Sequence, residues 1–457
     1  MAKLKYLIIT YGCQMNLSDS ERIAALLESL GCEKAGNPKT VDLLIFNTCS
    51  VRQTAEDRVF GQNKILKKLK EKNKNLKIVL TGCMTHYPEK TLRQRLPLVD
   101  VFIDIKNLPK LPRILGLSRN ADTRDYFSIS PKQSDFRALI PISTGCNNFC
   151  SYCIVPHSRG REYSRPAKDI IREASRAIKN GLPTGRHGAK EIWLLGQNVN
   201  SYGLSEKTVW ENKTRKNQKP KIQKGRLTFA DLLREINKIP GNFWIRFTSP
   251  HPKDFSDDLI KAMKECEKFP KYVNLPVQSG DNEILKKMNR TYTVSHYKNL
   301  VKKLRRAMPD IAISTDTIVG FCGETKKQFQ NTVKLYEELK FDMAFIAKYS
   351  PRSGTASAAA FSDDISPEEK NRRFRILTDV LRETSFKNNK KHLGKIERVL
   401  IEEKKRDKIF GRNGAYKLVE IAYQKTPPKI GEFTDVKITK AKEWILEGTL
   451  LGASGAK

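Results

Sequence analysis

The chain has 457 residues, with 85 Lys and Arg against 50 Asp and Glu and a formal net charge of +35. That length holds roughly two to four domains with real hydrophobic cores, and the positive excess points to a polyanionic partner, nucleic acid first and an anionic membrane surface second. No apolar run approaches the roughly 18 residues that a membrane span needs, and MAKLKYLIITYGC runs straight into strand-like sequence with no hydrophobic signal core, so a cytoplasmic location and no membrane partner are expected.

LKYLIIT (4–10) is a short apolar run and reads as a buried strand. Ser18 and Glu21 have the spacing of a capping box at the start of a helix through ERIAALLESL, and Gly31 closes it. VDLLIFNTC (41–49) and LKIVLTGC (76–83) read as the next strands, with a basic helical stretch between them. Strands alternating with helices imply a parallel sheet. Cys13, Cys49 and Cys83 each fall at or just past the carboxyl end of one of these strands, about one strand–helix unit apart. In a parallel sheet those ends share one edge, where ligands bind, so the three thiols are expected to meet. The alternative is three small apolar residues in strand-end loops.

From about 110 to 135 the periodicity is lost and a linker is expected. Six strand candidates follow: ALIPIS (138–143), KEIWLL (190–195), WIRFTS (244–249), YVNLPV (272–277), AISTDTIV (312–319) and MAFIAKY (343–349). Helical segments such as NLVKKLRRAM and TKKQFQNTVKLYEELK separate them. Six such units suit an open or partial barrel with its active site at the carboxyl ends of the strands. The stretch 204–226 holds eight Lys and Arg and two Glu. It reads as a solvated basic loop, either a phosphate contact or a plain disordered insertion. Ser366, Pro367 and Glu369 place an N-cap, a first-turn proline and a capping box at the head of a long helix. RVLIEEK, AYKLVEIAY, TDVKITKAK and ILEGTLL then read as a small all-β module, a five-stranded barrel of the kind that binds nucleic acid. The fold class is therefore α/β: a parallel α/β domain over 1–119, a partial (β/α)6 barrel over 132–388 and a small β-barrel over 389–453.

The cysteines number nine, an odd count, and in a reducing compartment they are expected to be metal ligands or reactive thiols rather than disulfides. GCNNFCSYC (145–153) places three of them, Cys146, Cys150 and Cys153, directly after the first barrel strand. A structural zinc site usually takes four ligands in paired spacings. His157 is near, but it would complete an unusual zinc pattern. Three thiolates fit a 4Fe-4S cluster with one iron left open.

C-x3-C-x-aromatic-C after a first barrel strand, with Tyr152 as the aromatic residue, resembles the signature of radical S-adenosylmethionine enzymes. TYGCQMN, FNTCSVR and TGCM resemble the amino-terminal domain of the methylthiotransferase family within that superfamily. GCNNFCSYCIVPHSRGREYSRP, LLGQNVNSYG, RFTSPHPKDF, LPVQSGDNEILKKMNRTYT and STDTIVGFCGET continue the likeness in order, and a TRAM-like β module ends it. GCQMN and QNVNSYG are similar to the branch acting on N(6)-isopentenyl (dimethylallyl) adenosine at position 37 of tRNA. The resemblance implies that Cys146, Cys150 and Cys153 carry the catalytic 4Fe-4S cluster and present its open iron to S-adenosylmethionine. It implies a second 4Fe-4S cluster on Cys13, Cys49 and Cys83, at which sulfur is methylated by one S-adenosylmethionine before a second supplies the radical. Its implied partners are the tRNA anticodon stem-loop and an electron donor such as a flavodoxin or ferredoxin.

Further cofactor contacts are expected from Tyr152, from Gln197 and Asn198 after the second barrel strand, from Arg246 and Ser249 in RFTSP, and from Gln278 in LPVQSG. Gln197 and Asn198 equally suit a loop-stabilising role. Gly320 and Gly323 suit close backbone approach, Glu324 suits a helix cap, and Cys322 stands where the family usually has Pro. Cys32, Cys266 and Cys322 read as ordinary thiols, and His86 as structural. Arg159, Arg161 and Arg165 suit either substrate phosphate or packing over the barrel rim. Two other readings stay open: the same chemistry on threonylcarbamoyl-adenosine or a ribosomal protein, and a non-catalytic RNA-binding protein whose cysteines hold zinc.

Overall fold

A computed structural model describes residues 3–51, 53–118, 125–131, 133, 135–179, 188–204, 227–422 and 427–451; nearly all of the basic stretch at 204–226 lies outside the described residues. The amino-terminal unit is a five-stranded parallel sheet in the spatial order Glu33–Lys34, Lys5–Tyr11, Leu43–Thr48, Lys77–Gly82, Val101–Ile103. Every residue of Leu43–Thr48 is buried, as expected of a strand covered on both faces. Leu44, Phe46, Ile78 and Leu80 pack on one face with Val59 and Leu66. Leu43, Ile45 and Val79 pack on the other with Tyr6, Ile23 and Leu27.

The first helix runs Gln14–Ser29, so it begins earlier than the Ser18 capping pattern suggests. Cys13 is its N-cap, and Asn16 Oδ1 accepts the Cys13 N–H at 3.2 Å. Ser18 is buried one turn inside, and its hydroxyl donates to the Leu139 carbonyl of the first barrel strand at 2.8 Å. A long-range acceptor outcompeted the local cap. Gly31, at φ +83, closes the helix as expected: its N–H reaches the Glu28 carbonyl, and that of Cys32 reaches Leu27.

The central unit has six parallel strands in two three-stranded sheets. One holds Trp244–Phe247, Glu191–Leu195 and Arg137–Pro141; the other holds Tyr272–Asn274, Ala312–Val319 and Met343–Lys348. The fourth strand is shorter than YVNLPV because Pro276 has no N–H to give the ladder. Pairing resumes at a single bridge between Gln278 and Thr317. Ile140, Ile192, Leu194 and Ile245 face the surrounding helices, packing with Ile170, Leu233 and Ile236. The alternate residues Leu139, Trp193 and Leu195 form a separate cluster on the opposite, inner face. The long helix Pro367–Lys390 is capped by Ser366, whose hydroxyl accepts the Glu369 N–H at 3.2 Å. The Glu369 carboxylate turns to Arg372 and Arg373 instead of completing the box.

The carboxyl-terminal unit is a closed barrel of Ile396–Lys405, Lys408–Asn413, Leu418–Ala422, Phe433–Ala441 and Ile445–Leu450. Val399, Ile401, Ile409, Val419, Ile421, Val436, Ile438 and Leu446 fill it. Its second strand, KIFGRN, is the one that no sequence run announced. No helix among the described residues is long and apolar enough to cross a membrane.

Candidate functional site

The cysteine loop leaves the first barrel strand through Gly145, at φ +71, where a Cβ would stand 2.2 Å from the Arg161 carbonyl oxygen. Only glycine lets the returning chain pass so close. The Cys146 N–H then bonds the Gly160 carbonyl at 3.1 Å, and the Cys153 N–H bonds the Cys150 carbonyl at 2.9 Å. Cys146 is buried; Cys150 and Cys153 are half-buried. Burial, together with charge on Cys150, pushes the Cys146 thiol up to about 11 and Cys153 up to about 12. The three sulfurs are thus within electrostatic reach of one another. Left to the polypeptide, Cys146 and Cys153 stay protonated; a cationic metal centre reverses that. An all-thiol set of this kind fits an iron–sulfur cluster.

The other thiols meet by sheet register. Tyr11 lies opposite Thr48, and Thr48 opposite Gly82, so Cys13, Cys49 and Cys83 leave one sheet edge side by side. The Cys49 N–H bonds the Tyr11 carbonyl at 2.8 Å. Gly82, at φ +94, lies where a Cβ would meet the Thr48 carbonyl oxygen at 2.3 Å. Cys49 and Cys83 are buried and Cys13 is exposed. Asn16 braces this edge from below, donating to Asn47 Oδ1 at 2.9 Å and to the Thr48 carbonyl at 3.2 Å.

The two thiol groups share the interface between the first unit and the barrel. The short helix Val155–Ser158, just after Cys153, packs against the turn Cys83–His86. Arg159 forms a buried ion pair with Asp19 at 2.7 Å, and its charge is also favoured by Cys83 and Cys13. Arg352 donates to the Val51 carbonyl at 3.3 Å and faces Glu56 at 3.7 Å.

The remaining expected contacts divide. The Tyr152 ring packs on Ile284, Met288, Phe321, Cys322 and Tyr349, behind the cysteine loop. Gln197 is half-buried and Asn198 fully buried at the end of the second barrel strand. Asn198 Nδ2 donates to Asp254 at 2.7 Å, and its Oδ1 is buried without a partner among the described residues. Ser249 and Gln278 end the next strands in left-handed backbone, at φ +58 and +69. Such strain in non-glycine residues concentrates at functional sites.

Arg246 is placed elsewhere, and this corrects the expectation of a cofactor contact. Its guanidinium pairs with Glu191 and donates to the Asn413 and Gly414 carbonyls of the terminal barrel, at 3.1 and 3.4 Å. Glu324 is likewise not a helix cap: Thr325 caps the helix Lys326–Leu339, while Glu324 accepts the Gly320 N–H and pairs with Arg373 at 2.7 Å. Arg165 donates to the Pro141 carbonyl and to Glu173, so neither it nor Arg159 is presented to phosphate. Arg161 is exposed and lies over the Phe149 ring. His86 Nδ1 lies 2.8 Å from the Cys83 carbonyl oxygen. Cys32, Cys266 and Cys322 are buried thiols. Sequence reasoning missed Arg290, which reaches Cys150, and Asp254, which holds Asn198.

Three family models match in succession: the Uncharacterized protein family UPF0004 over residues 5–104, the Radical SAM superfamily over 140–336 and the TRAM domain over 390–451. The chain is 41% identical over 461 residues to the tRNA-2-methylthio-N(6)-dimethylallyladenosine synthase of Clostridium botulinum (strain Langeland), covering 97% of this chain and 96% of that one. A protein of the same name from Carboxydothermus hydrogenoformans is 40% identical over 467 residues, covering 99% and 100%. Among solved structures, the cobalamin-dependent S-adenosylmethionine radical enzyme OxsB superimposes with a TM-score of 0.51 at 9% identity, over 82% of this chain and 56% of that one, a likeness of fold alone.

Proposed function

The chain belongs to the radical S-adenosylmethionine methylthiotransferase family, and from that premise we propose that it converts N(6)-isopentenyl adenosine at position 37 of tRNA to its 2-methylthio derivative. It is a radical enzyme whose cofactors include S-adenosylmethionine and a 4Fe-4S cluster, and its substrate is tRNA. In our reading Cys146, Cys150 and Cys153 hold that cluster, and Cys13, Cys49 and Cys83 hold a second one where the sulfur is prepared. The observation that carries the reading is the sheet register that gathers Cys13, Cys49 and Cys83 at the barrel interface, since a radical core alone needs no second thiol triad.

When bound, the cluster and S-adenosylmethionine supply the one-electron chemistry needed to attack an inert aromatic C–H bond. The chain's own residues shape the chamber. Tyr152 and its apolar neighbours keep water from behind the cysteine loop. Asn198, fixed by Asp254, presents a desolvated acceptor suited to an amino group. The Arg159–Asp19 pair fixes the first unit against the barrel. A loop base is splayed out of its stack at modest cost, and the net charge of +35 draws the phosphate backbone in. We place the unit boundaries near 119, 132 and 389, and assign the reducing electron to a flavodoxin or ferredoxin.

Mass spectrometry of nucleosides from tRNA of cells with and without this protein tests the proposal. The expected result is loss of the methylthio nucleoside on deletion and build-up of its isopentenyl precursor. An unchanged methylthio-isopentenyl nucleoside would overturn the substrate and redirect the search to threonylcarbamoyl-adenosine or a ribosomal protein.

A further inference from the structure

The segment Lys287–Arg290, at the end of the short helix Asn282–Lys287, forms a bracket against the cysteine loop. Ser151 donates its backbone N–H to the Met288 carbonyl at 3.0 Å and its hydroxyl to the Lys287 carbonyl at 2.8 Å. Asn289 Nδ2 donates to the Phe149 carbonyl at 2.9 Å and lies 3.4 Å from that of Asn148. Asn289 and Phe149 are both left-handed, at φ +54 and +48. Two strained non-glycine residues persist side by side only where the surrounding bonds over-determine them.

From this bracket Arg290 runs inward and is 8% exposed. Its Nε donates to the Tyr292 hydroxyl at 3.1 Å, and Nη2 lies 3.4 Å from the Pro276 carbonyl oxygen. The Tyr292 hydroxyl is itself committed to the Val277 carbonyl at 2.8 Å. These partners aim Nη1 at the sulfur of Cys150, 3.4 Å away. Among the described residues no carboxylate pairs with Arg290, whereas the other buried arginines of the barrel, Arg165, Arg246, Arg352 and Arg373, each have one. A buried guanidinium without an anion is costly. The group facing its Nη1 is the Cys150 sulfur, which becomes an anionic ligand once it holds a cluster iron.

We propose that Arg290 is a positioning residue for the reaction: it orients Cys150 and, through a charged N–H···S bond, favours the one-electron-reduced form of the cluster held by Cys146, Cys150 and Cys153. The inference rests on the assignment of those thiols to a cluster. The step is the gain of one electron from a low-potential donor, with no proton transferred and no bond broken. Reduction makes the cluster and its thiolates one unit more negative, and a fixed cation beside them stabilises the more negative form.

The test uses full-length protein carrying Cys13→Ala, Cys49→Ala and Cys83→Ala, so that one cluster remains. It is reconstituted without oxygen, its iron and sulfide are counted, and it is titrated with dithionite while the reduced cluster is followed by electron paramagnetic resonance. Adding Arg290→Gln is expected to lower the reduced-to-oxidised ratio about tenfold at a fixed potential, equivalent to ~59 mV for one electron. Arg290→Lys, still cationic but without the planar fork, is expected to recover part of that shift. Full iron with the parental midpoint in Arg290→Gln would overturn the proposal. Partial iron with the parental midpoint would also overturn it, because a merely structural role lowers occupancy without moving the potential. If Arg290→Gln holds no cluster, Arg290→Lys decides: a lowered midpoint supports the proposal and a parental one overturns it. An iron-free parent would overturn the cluster assignment itself, which the iron count shows before any potential is measured.

Discussion

Replacing Arg246 by methionine should detach the terminal barrel from the central one. The Arg246 side chain is 1% exposed and Glu191, its partner, 2%. Glu191 accepts from Arg246 and from Trp193 Nε1, the latter at 2.6 Å. The guanidinium lies over the rings of Trp244 and Tyr416, each at 4.9 Å, and holds the two carbonyls of the 413–414 turn. Arg246→Met keeps much of the apolar stem but leaves the Glu191 carboxylate with one donor. Breaking a buried pair by removing one partner costs about 3–5 kcal/mol. The two carbonyl contacts add ~1 kcal/mol each at most, and not independently. A loss of about 4 kcal/mol is therefore expected, concentrated on one interface. Two of the four tryptophans, Trp193 and Trp244, flank the pair, so fluorescence-monitored urea unfolding reads the site directly. Proteolysis near residue 390 should accelerate in parallel. Adding Glu191→Gln should restore part of the loss, because it removes the stranded charge. A single variant within ~1 kcal/mol of the parent would refute the reasoning. A variant of parental stability with weakened S-adenosylmethionine binding would return Arg246 to the cofactor site.

Replacing Cys146, Cys150 and Cys153 by Ala should remove one cluster's iron and abolish deoxyadenosine formation; cofactor cleavage surviving in that variant would refute the assignment. Replacing Cys13, Cys49 and Cys83 should spare cofactor cleavage and stop sulfur insertion, read by mass spectrometry of the product nucleoside. His251 is buried, its Nδ1 accepts the Lys253 N–H at 3.2 Å, and burial, helped by the charges of Arg290 and Lys253, pulls its pKa down to about 2. The folded chain therefore resists a proton that the unfolded chain takes near pH 6.5, so stability is held above that pH and falls by about 1.4 kcal/mol per unit below it. Denaturant unfolding at pH 7 and pH 5 checks this: His251→Asn should flatten the slope by one proton, and an equal slope in both proteins would refute it. Affinity for tRNA should fall on the order of 10³-fold between 50 and 200 mM salt if several phosphates are neutralised, and a fall below about tenfold would refute that share of binding.

What was legible in the sequence was what short-range pattern can carry. Leu43–Thr48 and Glu191–Leu195 are buried throughout, so they appear as apolar runs. Cys13, Cys49 and Cys83 could be brought together because a parallel sheet maps equal positions in successive units onto one edge. Other features were decided at long range. Ser18 looked like a cap, but its hydroxyl bonds a carbonyl 121 positions away. Arg246 stands in a strand-end motif, yet its fork is filled by carbonyls 167 and 168 positions on. The strand Lys408–Asn413 hid because Gly411 interrupts its apolar alternation.

The two cations beside the thiols belong to this second class, and both come from outside the segment they serve. Arg159 follows the barrel cysteines in sequence but sits with Asp19 near Cys13 and Cys83. Arg290 lies 140 positions beyond Cys150 and points at its sulfur. Thiolate ligands concentrate negative charge in a place that burial has stripped of water, and fixed guanidinium groups offset it without needing their own hydration shell. A cysteine pattern shows where such charge will gather, because soft ligands must sit at set spacings. Which arginine answers it depends on how the units dock. Each thiol triad here meets a cation delivered across a junction, Arg159 between two units and Arg290 between two loops of one barrel. If each triad holds a cluster, as proposed, loosening either junction should disturb that cluster before it unfolds the chain.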